Sequence, residues 1–554
     1  METINGGEAA YRVLKANGID TVFGLLGGSM LELYDAMYLD GGISYVGARD
    51  ERAAGHMADA WARMTGKPGV VLGAQAGPGV VNIVTAVAEA QLAYSPLVVI
   101  AGAITRADLA KDTFQEVDQV ALFAPICKRS VLVTDPSRLA PMLEDAIRLA
   151  NSGRRGPVVL HVPRDLFSAK VASIDPKPLN IARPGPAAAQ HIAAIADMLS
   201  KASRPVLFAG AGFKWGAGRD ALTALAERLE VPVVASTGHA DIMAHGHPWF
   251  AGQAGPRGNL VASGLTRDAD VMVVLGARLG FNSTFHSNDY VGAETRIAHV
   301  DIEASAVGRY FPAEIAAQGD ARLTAVELLD AVERPDCDDW RDRFQRDMDA
   351  LRAERQREAQ IDSLPLHPRR ALAEIRTTLP NNAIVTLDTG NTCLQAADRL
   401  AHYQPMSLIT PLDFGLVGFG LAAAIGAKAA APDRPVVAIM GDGAIGYTLI
   451  EIQTAVSHNL PVIIIVLDNE AWGAEKAYQE EFYGGRLLGA EITSPRFDEF
   501  AISCGGDGIW VDGPGDVAPV LEKAFASGRT TVIQGKIDPA ALMTLRKDLF
   551  TSDD

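Results

Sequence analysis

The sequence predicts an α/β protein of three doubly wound parallel-sheet domains, and three observations carry that reading. Short runs of Val, Ile and Leu, as in PVVLHVPRDLF, DADVMVVLGARLG and LPVIIIVLDNE, alternate with Ala-rich segments of helical period. Such alternation belongs to βαβ units whose strands are buried on both faces. The alternation is broken twice, by a Pro-rich stretch (168–190) and by a densely charged one (338–360). The chain has 554 residues, too many for one core; a prior of about 150 residues per domain suggests three or four.

Taken in order, the first domain is expected over residues 1–175. Its last strand lies in PVVLHVPRDLF (157–167), and SAKVASIDPKPLNIARPGPAAAQ lacks periodicity and reads as a linker. The second domain is expected over 190–335, opening on RPVLFAGAGF and including RIAHVDIEA. DDWRDRFQRDMDALRAERQREAQ then predicts a solvated surface helix, because its charge is mixed and dense. The third domain is expected over 365–540, followed by a short tail, 541–554. No repeat of solenoid period occurs.

The formal net charge of −17 argues against nucleic acid or an anionic membrane as partner, since both need a basic surface. Cys127, Cys337, Cys393 and Cys504 are far apart with no CxxC, so free thiols in a reducing cytosol are expected. The first twenty residues show no basic and apolar signal pattern, and no apolar run is long enough to span a bilayer. A cytoplasmic location is the expectation. His239, His245 and His247 crowd one segment, TGHADIMAHGHPW; a structural role is expected for them rather than a metal site.

The chemistry concentrates in GDGAIGYTLIEIQTAVSHNLPVIIIVLDNE (441–470). RPVVAIM before it reads as a buried strand, GDG as a turn, then a helix, then a second strand. Asp442 and Asn469 therefore fall at the carboxyl ends of two parallel strands, where open α/β sheets bind ligands. Glycines let a backbone approach phosphate, and a helix start offers unpaired N–H groups. One carboxylate and one amide oxygen suit a hard cation such as Mg²⁺ that completes its shell with phosphate and water. No GxxxxGK[ST] occurs, so a P-loop nucleotide module is not expected.

This stretch resembles the signature of thiamine-diphosphate enzymes, in which GDG is followed by a pair of asparagines. Here Asp468 stands for the first of them, and Asn469 matches the second, a metal ligand. The resemblance implies the Ala471 carbonyl as the other protein ligand beside Asp442. Flanking residues Gly441, Gly443, Ala444, Trp472 and Gly473 are then expected at the cofactor. YVGARDERAAGHMADAWARMTGK resembles the segment that carries the family's glutamate, which falls on Glu51. In that family a carboxyl bonded to N1′ makes the cofactor's own 4′-nitrogen the base. DFGLVGFGLAAAIGAK places Val417 where the family has a Met under the cofactor's bend, and Gly415 where a carbonyl accepts the 4′-amino group. DTGNTC supplies Thr389, Gly390 and Asn391 for the diphosphate, and AQAGPGVVN supplies Gly77, Pro78 and Asn82 near the pyrimidine.

Within the family, the loop FGLLGGSM places Leu26 and Ser29, with no His, toward the reacting carbon. TFQEVDQVALFAP puts Phe114 and Gln115 at the substrate pocket. That segment resembles sulfoacetaldehyde acetyltransferases, acetolactate synthases and some 2-hydroxyacyl-CoA lyases, while EAWGAEK and, in the central domain, LGARLGFNST resemble sulfoacetaldehyde acetyltransferases. Oxalyl-CoA decarboxylases usually have Tyr-Glu at the Phe-Gln position. The resemblance implies thiamine diphosphate and Mg²⁺, C–C bond making or breaking beside a carbonyl, and at least a homodimer, commonly a homotetramer. The FAD-contacting pattern of acetolactate synthases is not evident; ADP and CoA stay open as ligands. A lyase, a simple 2-oxo acid decarboxylase and a non-catalytic homologue remain alternatives. Arg546 and Lys547 in the tail read as ordinary helix-end cations, with closure over an anionic substrate as the other reading.

Overall fold

The computed structural model describes residues 2–543. Among these lie three six-stranded sheets, all of whose pairings are parallel. The first runs, edge to edge, through Ser44–Gly47, Thr21–Leu25, Gly69–Gly73, Leu97–Ala103, Val158–Pro163 and Arg129–Leu132. The third runs through Leu408–Ile409, Ile384–Leu387, Val436–Gly441, Ile463–Asp468, Thr531–Lys536 and Asp507–Val511. Counted by order in the chain, both sheets read 2-1-3-4-6-5, so the outer domains are topological twins. The central sheet, Phe250–Gln253, Val233–Ala235, Pro205–Ala209, Val271–Leu275, Arg296–Asp301 and Ile315–Gln318, reads 3-2-1-4-5-6.

In each sheet the strand order reverses beside the strand that comes first in the chain, and a crevice opens there beyond the strand ends. The reversals fall between Thr21–Leu25 and Gly69–Gly73, between Pro205–Ala209 and Val271–Leu275, and between Ile384–Leu387 and Val436–Gly441. Three ready-made binding positions follow from topology alone.

The outer domains share one core. Helix Glu51–Thr65 lays Ala53, Ala54, Met57, Ala58 and Trp61 against helix Gly420–Ala430 and the sheets behind it. Both helices are Ala-rich, so their backbones come close. A Cβ on Gly426 would sit 2.0 Å from the Met57 carbonyl oxygen, and one on Gly69 would sit 2.1 Å from that of Ala58. Gly426→Ala must therefore push the helices apart, at a cost of about 1–3 kcal/mol. Chemical denaturation should show the lowered midpoint; an unchanged midpoint would mean that this contact is not tight.

Two elements depart from the sequence reading. The charged helix, Asp338–Glu358, is less solvated than its composition suggests. It buries Trp340 and Phe344 against the central sheet, and Trp340 Nε1 donates to the Pro205 carbonyl at 3.1 Å. Two aromatic anchors in its first two turns outweigh the charges around them. The Pro-rich linker begins with a strand, Lys170–Ala172, paired antiparallel with Thr3–Asn5. Among the described residues no helix is long and apolar enough to cross a membrane. Arg546 and Lys547 lie outside the described residues.

Candidate active site

The crevice of the third sheet collects most of the residues expected at a cofactor. Thr389, Gly390 and Asn391 come from the end of strand Ile384–Leu387, Asp442, Gly443 and Ala444 from the end of Val436–Gly441, and Asn469, Ala471, Trp472 and Gly473 from the end of Ile463–Asp468. With Gly441 and Val417 they line one cavity of about 100 Å³. The strands end here because each runs into glycine or an Asp-Asn turn that stops the ladder.

The groups at its floor are a carboxylate, a backbone carbonyl and a side-chain amide. One terminal atom of the Asn469 amide lies 3.1 Å from both the Ala471 carbonyl oxygen and Asp442 Oδ1. With nitrogen there, the amide donates to both. With oxygen there, three oxygens face one another and need a cation between them. The residues present thus fit a hard divalent ion. Ser494 Oγ donates to the other Asp442 oxygen at 2.8 Å, which aims Oδ1 at the ion position. Burial pushes the Asp442 carboxyl up to about 6; the Ser494 hydroxyl opposes this and the charge of Asp468 adds to it.

The Asp-for-Asn departure at 468 is absorbed locally. Asp468 is fully buried, and Oδ2 takes Gln534 Nε2 at 2.9 Å and Lys536 Nζ at 3.1 Å. Lys536 also pairs with Glu470 at 2.6 Å, so one lysine straps the residues on both sides of Asn469.

Asp388 is a buried carboxylate at the edge of this site that sequence reasoning passed over. It ends strand Ile384–Leu387, is wholly buried, and accepts backbone N–H groups from Thr389 (2.8 Å), Gly418 (3.0 Å) and Gly420 (2.6 Å). Burial raises its pKa to about 6 against the pull of those donors. It holds the backbone on the far side of Val417. DTG carries no sign of this, because the partners lie thirty residues away. Asn391 exchanges hydrogen bonds with Met543 (2.7 and 3.1 Å), tying the loop 389–391 to the first residues of the tail.

The first sheet's crevice holds a second group of residues. Glu51 starts its helix behind the cap of Asp50 and is 6% exposed. Asn82 Nδ2 donates to Glu51 Oε2 at 3.0 Å. Gly77, at φ +69°, opens the turn into Pro78; a Cβ there would lie 2.3 Å from the Gln115 carbonyl. Gln119, also unforeseen, accepts from Gly77 N at 2.8 Å and donates to the Gly102 carbonyl at 3.0 Å. Gln75 Nε2 donates to Gln115 Oε1 at 2.6 Å. Ser29 is buried and accepts from Ala76 N at 3.2 Å. Leu26 (58% exposed) and Phe114 (84%) point outward. Glu51 and this group do not line the cavity of the third domain in the single chain.

The remaining crevice, in the central sheet, opens into a cavity of about 810 Å³. Lys214, Arg154, Arg155, Arg278 and Arg322 line it, with Asp301 at a strand end. The histidines behave otherwise than as a ligand set. His245 stacks edge-on with Phe250 and His402 and is held near 4 by burial, while His247 pairs with Glu227. Among the described residues no group of three or more His, Cys, Asp or Glu suits a metal ion.

Comparison with known proteins agrees in all three domains. Residues 4–122 match the family described as thiamine pyrophosphate enzyme, N-terminal TPP binding domain. Residues 192–328 match its central domain and 388–534 its C-terminal TPP binding domain. A sulfoacetaldehyde acetyltransferase of Castellaniella defragrans is 34% identical over 96% of this chain and 93% of its own length. One of Alcaligenes xylosoxydans xylosoxydans is 34% identical over 95% and 92%. The acetolactate synthase isozyme 3 large subunit of Escherichia coli (strain K12) is 32% identical over 96% and 93%.

Proposed function

The chain belongs to the thiamine pyrophosphate enzymes, and from that premise we propose that it transfers an acyl or aldehyde unit by making or breaking a C–C bond beside a carbonyl, with Mg²⁺ as the ion. One observation carries the cofactor part. Asp442 Oδ1, the Ala471 carbonyl and the Asn469 amide converge on one point, beside a glycine turn at the end of a parallel strand. Asp442, Asn469 and the Ala471 carbonyl would hold Mg²⁺, and Thr389, Gly390, Asn391 and Gly443 would hold the diphosphate.

Bound thiamine diphosphate supplies a carbon nucleophile at thiazolium C2 once that position loses its proton. Glu51 would hold the hydrogen bond to N1′, and Asn82 Nδ2 fixes its carboxylate by donating to Oε2. Val417 would pack beneath the bound cofactor, and the Gly415 carbonyl would be the acceptor for its 4′-amino group. Val is shorter than Met, and the neighbouring Leu416 shares the packing. Leu26, Phe114 and Val81 are exposed beside this site, and Glu51 stands apart from the third-domain cavity. Both facts favour a homodimer, within a homotetramer, in which a second copy completes the site.

Acyl transfer of the sulfoacetaldehyde acetyltransferase or acetolactate synthase kind is the reading the relatives' names favour. A 2-hydroxyacyl-CoA lyase is the second reading, supported by the cationic central cavity, which suits the phosphates of CoA or ADP. FAD stays outside the proposal. The test is a panel of pyruvate, sulfoacetaldehyde with phosphate, and 2-hydroxyacyl-CoA esters, with products identified by mass spectrometry. Turnover of the CoA esters alone would overturn the transferase reading. On the same panel, Gln115→Ala should reorder the substrates and leave cofactor binding intact, because Gln75 loses its partner at a cost of about 1–3 kcal/mol. Identical specificity ratios would remove Gln115 from the pocket.

A further inference from the structure

The segment 410–420 carries Gly415 and Val417, yet it follows a strand of only two residues, Leu408–Ile409. It forms a turn of its own, with Phe414 N and Gly415 N both donating to the Pro411 carbonyl at 3.2 and 2.7 Å. Beyond that, residues from elsewhere hold it at its two ends. Asp388 takes the far end through Gly418 and Gly420. At the near end Arg63 donates to the Thr410 carbonyl at 2.8 Å, and the other holds come from the central domain. Asn282 Nδ2 donates to the Leu412 carbonyl at 2.5 Å, and Arg278 Nη2 pairs with Asp413 Oδ1 at 2.5 Å.

Arg278 is itself immobilised. It lies just beyond strand Val271–Leu275, its Nη1 donates to the Tyr94 hydroxyl at 3.0 Å, and its guanidinium lies over the Tyr94 ring, 4.6 Å from the centroid. The pair is largely shielded from water, with side-chain exposures of 30% for Arg278 and 13% for Asp413. A planar cation stacked on a ring and bonded to a carboxylate fixes direction as well as distance. Asp413 is two residues from Gly415 and four from Val417, so the fix is passed on through a single tight turn.

We propose that the Arg278–Asp413 pair is a positioning device by which the central domain sets Gly415 and Val417 against the cofactor's pyrimidine and bend. It rests on the reading that the third-domain crevice takes thiamine diphosphate. Arg278 also lines the central cavity, but its action on Gly415 and Val417 runs through Asp413. The device matters because a shift of about 1 Å in a positioning group is enough to cost about 10²-fold in rate. It also gives LGARLGFNST a role within the catalytic frame of the outer domains.

The experiment is calorimetric titration of the full-length protein with thiamine diphosphate at saturating Mg²⁺, for wild type, Arg278→Met, Asp413→Ala and the double variant. Each single change should weaken binding about tenfold, and the double variant should be no weaker than the weaker single, since both remove one tether. Amide exchange over residues 411–417 should rise in each variant while helix Gly420–Ala430 keeps its protection, which separates a local release from general loosening. Losses that multiply to about a hundredfold, singles that bind like wild type, or unchanged exchange over 411–417 would overturn the proposal. If wild type itself binds no thiamine diphosphate, the reading of the crevice fails instead, and the premise goes with it. Arg278→Lys keeps the charge and loses the fork; it should fall between wild type and Arg278→Met, and binding equal to wild type would tell against direction-fixing by the guanidinium.

Discussion

Asp442→Ala is expected to weaken thiamine diphosphate binding by more than about a hundredfold at Mg²⁺ levels that saturate the wild type. Even partners one shell outside a metal typically cost 10–100-fold when lost, and Asp442 offers the charged oxygen of the set. The change removes Oδ1 from the point where the Asn469 amide and the Ala471 carbonyl converge, and leaves the Ser494 hydroxyl without its acceptor. With the carboxylate gone, Asn469 and one carbonyl are too few to hold an ion against water. The fold should persist, because Asp442 opens a short turn at the rim of the sheet and not its core. Calorimetry with and without Mg²⁺ reads the effect directly. Undiminished binding in the variant would remove Asp442 from the metal site.

Glu51→Gln should leave the cofactor bound and slow proton exchange at its C2 by about 10²–10⁴-fold, the usual worth of positioned proton transfer. The amide has nearly the same volume and still accepts from Asn82, so packing at the start of helix Glu51–Thr65 is kept. What it lacks is the acid–base capacity at N1′. Affinity should therefore fall much less than in Asp442→Ala, because the diphosphate grip lies on a different sheet. Deuterium exchange at C2, followed by NMR after acid quench, separates the two roles. Equal exchange rates in variant and wild type would reduce Glu51 to a carboxylate that merely suits a helix start.

Local signals in the sequence were enough for the three-sheet architecture. Buried parallel strands read as near-continuous Val/Ile runs, and GDG with the later Asn marks two strand ends without any knowledge of what lies between. What could not be read is what long-range hydrogen bonds decide. Asp388 looks like part of a diphosphate loop, yet its oxygens belong to the backbone of Gly418 and Gly420. Gln119 looks like an ordinary polar residue in a short helix, but it sets the Gly77 turn. Asp468 looks like a flaw in the motif until Lys536, from a neighbouring strand, is seen beside it. The twin order of the outer sheets is equally silent in sequence, because topology constrains hydrophobic pattern and not residue identity. Trp340 and Phe344 were hidden for a simpler reason: two apolar anchors weigh little in a segment averaged over its charges.

The close approach of helix Glu51–Thr65 to its neighbours also bears on how such an enzyme changes over generations. Wherever Gly426 and Gly69 meet that helix, a single added methyl collides with main chain rather than with a side chain that can swing aside. Substitutions there are rejected one at a time, and no gradual series of them can slide Glu51 to a new place. Leu26 and Phe114 meet no such wall of main chain within their own subunit. New substrates are therefore to be reached by redrafting those loops around a fixed carboxylate, and a library confined to them should yield altered specificity far more often than one directed at the helix.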